Sequence, residues 1–163
     1  IGALARETSS QSANAAPRGG VEGKRVLIVE DEPFIAEDLA PLGTLVGEGV
    51  PTTVHSDFPI GPPKPLLAVT LAMTRLGQSG TRTLGPNLTV GLQSALRMVT
   101  SDAAYVLGID DKVGTLEPGK LADFTVLDKD PYTVKPAAIR DIPVWGTVVG
   151  GKVYPVSDIV KPQ

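Results

Sequence analysis

Residues 49–59, Gly-Val-Pro-Thr-Thr-Val-His-Ser-Asp-Phe-Pro, constrain this chain more than any other stretch. Val50 to Val54 is β-branched and apolar, the composition of a buried strand. It runs directly into the only histidine, His55, with Ser56 and Asp57 beside it. The strand is expected to open into a loop there, because Pro59, Pro62, Pro63 and Pro65 oppose regular structure until Leu66. A lone imidazole and a carboxylate at the mouth of a strand are the first candidates for chemistry.

Downstream, the apolar positions Leu66, Leu67, Val69, Thr70, Met73 and Leu76 suit one helix with a buried stripe, ended by Gly77. Thr89 can cap a helix carrying Leu92, Ala95, Leu96 and Val99, and Ser101 or Asp102 can start a shorter one closed by Gly108. Glu117-Pro118-Gly119-Lys120 has the offsets of a tight turn, followed by a strand over Phe124 to Leu127. Val144 to Val149 and Lys152 to Tyr154 flank Gly150-Gly151, a pair able to take positive φ in a primed hairpin turn. Such a hairpin needs companion strands. Either Lys24 to Val29 supplies one, or open edges pair between chains and the protein is a homo-oligomer.

Upstream the composition changes. Residues 1–22 are rich in Ser, Ala, Asn and Gly and are expected to form an arm with little core. Residues 23–40 read as a strand of a parallel sheet, Lys24 to Val29, an acidic corner at Glu30 and Asp31, and a helix after Pro33. Residues 41–163 form the remaining unit. The expected class is mixed α/β.

Two stretches resemble known families. RVLIVEDEPFIAEDLA, residues 25–40, resembles the first strand and helix of a response-regulator receiver domain. That likeness implies that Glu30 and Asp31 help hold magnesium, through the oxygen ligation a hard cation favours, in a phosphorelay protein. Residues 39–160 resemble the C-terminal end of a metal-dependent amidohydrolase of the family 3 type. The residues that carry this likeness are HSDFP at 55–59, ALRMVTSDAAYVLG at 95–108 and GTLEPGKLADFTVLD at 114–128. It implies the end of a barrel's last strand plus a piece of a small β-sandwich. It also implies a divalent metal, zinc first, and a small-molecule substrate whose carbon–nitrogen bond is hydrolysed. Asp57 would take the proton of the attacking water, with His55 its neighbour and fellow metal ligand. Together the two likenesses suggest a chimeric chain.

The donor inventory limits that chemistry. Structural or catalytic zinc usually takes three or four protein ligands, and this chain has one His and no Cys. A complete metallo-amidohydrolase site of the kind the resemblance implies is excluded within one chain by count. The remaining possibilities are a site shared between copies, a hydrolytic arrangement of Ser56 with His55 and a carboxylate that would need an irregular corner to meet, and a non-catalytic interaction module or inactive chimeric fragment. Asp110, Asp111, Asp123, Asp128 and Asp130 lie at turns and strand ends, where aspartate is expected to bind backbone N–H groups. Trp145 is expected to be a packing residue.

A net charge of −3 and few aromatic residues give neither a basic track nor a stacking platform, so nucleic acid is not an expected partner. No apolar run reaches the roughly 20 residues of a bilayer span, and no membrane partner is expected. A cytoplasmic location is the corresponding expectation.

Overall fold

The computed structural model describes residues 26–27, 42–56, 58–59, 61–76, 85 and 88–159. The elements are β1 (Val26–Leu27), α1 (Leu42–Gly47), β2 (Thr52–Thr53), α2 (Pro65–Thr74), α3 (Leu92–Met98), α4 (Ser101–Leu107), β3 (Phe124–Leu127), two 3₁₀ turns (Pro131–Thr133 and Pro136–Asp141), β4 (Val144–Val149), β5 (Lys152–Pro155) and α5 (Val156–Ile159). β1 and β2 form a parallel pair, and β3, β4 and β5 form an antiparallel sheet.

The core is built around α2. Pro65 stands in its first turn, where a fixed φ is an advantage and a missing N–H is no loss. Its ten residues carry no charge, so no face is made for water alone, and it packs against both α3 and the second 3₁₀ turn. Val69 and Ala72 from α2, Ala95 and Met98 from α3, and Ile139 and Ile142 from the 3₁₀ turn and its exit form one buried cluster. The hydroxyls of Thr70 and Thr74 donate to the carbonyls of Leu66 and Thr70, so neither enters the helix's apolar surroundings unsatisfied.

Helix ends account for two departures from the expectations above. α2 stops at Thr74 rather than running to Gly77, because Arg75 itself takes the left-handed conformation (φ 50°) and donates its backbone N–H to the Leu71 carbonyl. α3 begins after Gly91, which takes the extended N-cap position expected of Thr89 and offers no capping side chain. The closure of α4 by Gly108 is as expected, with φ 72° and its N–H bonded back to Ala104 and Tyr105.

The predicted hairpin forms. Gly150 and Gly151 sit at φ 55° and 79°, the signs a primed turn requires, and Val149 pairs with Lys152 across it. Its companion strand is β3, with Thr125 opposite Thr147, and not the segment around Val26. Val26 and Leu27 instead pair with Thr52 and Thr53, in the parallel sense expected for that segment. Trp145 is 47% exposed, so it packs only partly and departs from the expected role.

Aspartates at turns behave as expected where their bonds are seen. Asp130 accepts from the Tyr132 N–H at the start of the first 3₁₀ turn, and Asp123 accepts from the Gly150 N–H across the sheet. Lys120 N–H donates to the Glu117 carbonyl with Gly119 at φ 95°, the geometry of a turn that demands glycine at its third position.

Candidate functional site

β2 is a two-residue strand, Thr52–Thr53, enclosed on both sides. Successive strand residues face opposite ways, yet Thr52 and Thr53 are both buried. Each satisfies its hydroxyl locally: Thr52 donates to the Val50 carbonyl (2.9 Å) and Thr53 to the Met98 carbonyl (2.7 Å). The second bond ties the strand to the last turn of α3, 45 residues away in sequence. Thr53→Val keeps the shape and removes the donor, and is expected to lower stability by about 1 kcal/mol in urea titrations.

Beyond this anchored end the backbone leaves the ladder. Val54 packs partly on the core, His55 is exposed and Ser56 is half-buried. The Ser56 carbonyl accepts a hydrogen bond from the Gly61 N–H at 3.0 Å, so the corner folds back on itself within five residues. Phe58 projects from the corner at 69% exposure, and its peptide bond to Pro59 is cis.

Of the four residues singled out from the sequence, His55 stands at this corner, directly after β2. Asp57, Glu30 and Asp31 lie outside the described residues. Among the described residues no group of three or more His, Cys, Asp or Glu side chains is placed to hold a metal ion. The tie between Thr53 and Met98 was not visible in the sequence. A buried threonine next to a histidine corner is the only local signal, and it does not name a partner so far along the chain.

The comparisons with known proteins decide the family. The model of the Amidohydrolase family matches residues 8–155. The chain belongs to the amidohydrolase family. Relatives include the N-substituted formamide deformylase of Arthrobacter pascens, 33% identical over 113 residues, which are 69% of this chain and 21% of that protein. The putative amidohydrolase YtcJ of Bacillus subtilis is 30% identical over 114 residues, 68% of this chain and 21% of its own length. An imidazolonepropionase of Shewanella baltica is 38% identical over 96 residues, 58% of this chain and 21% of that protein.

Among solved structures, an amidohydrolase from Thermotoga maritima MSB8 superposes with a TM-score of 0.50 at 20% identity, covering 69% of this chain and 24% of that one. This amidohydrolase chain therefore has the fold of one portion of a larger architecture. It spans about a fifth of the length of the curated relatives it matches. The family match also runs through residues 25–40. No described helix is long and apolar enough to cross a membrane.

Proposed function

We propose that this chain carries part of a hydrolytic site that acts on an amide-type carbon–nitrogen bond of a small molecule, with Asp57 as the proton acceptor and His55 beside it. The family supports the reaction class. The observation that carries the site is the parallel pairing of β1 with β2, Val26 beside Thr52 and Leu27 beside Thr53. The two strands of a parallel pair end on the same side, and in the sequence Glu30 and Asp31 come soon after β1 as His55 and Asp57 come soon after β2. In parallel sheets that end is where sites are built.

His55 and Asp57 are the residues that would hold a divalent cation, zinc first, and Glu30 and Asp31 offer the oxygen ligands that magnesium favours as the alternative. A bound cation would lower the pKa of water toward neutrality. The chain's own part is then to hold the substrate's carbonyl face at the corner and to take the released proton on a carboxylate oxygen of Asp57.

Metal analysis of the purified protein, run beside hydrolysis assays on N-acyl and cyclic amide substrates, tests the reading. Stoichiometric divalent metal and turnover abolished by chelation are the expected results. Protein with neither metal nor turnover, alone or when supplemented with zinc or magnesium, overturns it.

A second reading, association between copies of the chain, is favoured by the three-stranded sheet. Trp145 and Val149 on β4 and Val153 and Tyr154 on β5 are all substantially exposed apolar residues. Apolar side chains gathered on one thin sheet are a common mark of an association surface. Light scattering across a wide concentration range is expected to show a dimer or larger species. A monomer throughout would remove this reading and with it any site shared between copies.

A further inference from the structure

Glycine is required at position 61 for a steric reason. A side-chain Cβ built there would lie 2.5 Å from the Ser56 carbonyl oxygen and 3.4 Å from both the Ser56 carbonyl carbon and its Cβ. The 2.5 Å approach is to backbone, which cannot rotate away as the tip of a flexible side chain could. Gly47 and Gly91, by contrast, have nothing within 4 Å of the same construction. The close approach coincides with the hydrogen bond from the Gly61 N–H to the Ser56 carbonyl, 3.0 Å. The strand on the other side of the corner is fixed independently by Thr53 Oγ1 on the Met98 carbonyl.

We propose that Gly61 is a positioning residue: by admitting the Ser56 carbonyl at contact distance it closes the corner after β2 and so sets the direction in which His55 leaves the strand. This rests on the reading of that corner as the hydrolytic site. Gly61 touches no reacting atom. Its effect passes through the Ser56 carbonyl, on the residue next to His55, and orientation at that level is where small displacements cost large factors in rate.

The test is Gly61→Ala in the full chain, with Gly91→Ala as the control at an open glycine. Amide exchange and imidazole resonances are followed by NMR, and turnover is followed where the wild-type protein hydrolyses an amide. In Gly61→Ala, exchange at residue 61 is expected to accelerate at least about tenfold as its hydrogen bond opens. The His55 ring and Ser56 amide resonances are expected to move, with exchange in β4 unchanged. kcat is expected to fall about tenfold at unchanged KM.

Gly91→Ala should show none of these changes. Unmoved His55 resonances with residue 61 still protected overturn the proposal, as does an equal response in Gly91→Ala or full kcat in Gly61→Ala. If Asp57→Asn leaves turnover at the wild-type level, the hydrolytic reading has failed instead, and the NMR arm still decides what Gly61 does.

Discussion

Asparagine in place of Asp57 is expected to lower kcat for amide hydrolysis by about 10²- to 10⁴-fold, the range over which a positioned general base contributes. The substitution keeps size and shape and removes only the ability to accept a full proton. Its effect should therefore appear in kcat, while the denaturation midpoint stays near that of the wild-type protein. Asp57 follows β2 by four positions, and that strand end is held by Thr53 on Met98 and by the folding back of Ser56 on Gly61. His55→Gln, which keeps a hydrogen-bonding side chain but no imidazole, should lower kcat less than Asp57→Asn. Unchanged turnover in Asp57→Asn would place the proton transfer elsewhere.

The largest effect on stability is expected at Ile139. Its side chain is fully buried where the second 3₁₀ turn packs on α2, in the cluster with Val69, Ala72 and Met98. Ile139→Ala removes branched methyl and methylene groups from the middle of a fully buried cluster and leaves a cavity there. The cost is about 2–5 kcal/mol, a large share of the roughly 5–15 kcal/mol that separates a typical native domain from its unfolded state. For a chain of this size that corresponds to a fall in Tm of about 5–15 °C. Val149→Ala, at a residue 53% exposed on β4, should shift the same transition by about 0.5 kcal/mol or less. A mild effect at Ile139 would mean that the turn does not belong to the cooperative core.

Local signals were the legible part of this fold. Gly150-Gly151, Gly119 and Gly108 each impose a backbone sign that few other residues accept, and each stands where it was expected. Boundaries set by competition were less legible. Gly77 is the better helix terminator by propensity, but α2 ends two residues earlier, with the buried Arg75 as a non-glycine C-cap at φ 50°. Gly91 took the cap from Thr89 because the hydrophobic register of α3 starts at Leu92 and leaves Thr89 outside the first turn.

Long-range pairing was the least legible. The parallel character of the segment around Val26 could be read from its unbroken apolar run, but its partner could not. β3 already flanks the hairpin, which leaves β2 as the strand Val26 and Leu27 join. For the site, the sequence located the His55 corner and the family. The ties that hold the corner, Thr53 to Met98 and Gly61 to Ser56, join groups whose proximity no local pattern encodes.

The glycine pair between β4 and β5 has a kinetic consequence. Two strands separated by two residues can zip on the microsecond scale, whereas β1 and β2 must first close the long segment between Leu27 and Thr52. During refolding from denaturant the C-terminal hairpin should therefore order early and wait for the rest. On the ribosome the same hairpin emerges after the helices around α2, which can therefore settle before the sheet exists. The two routes to this native state begin with different elements.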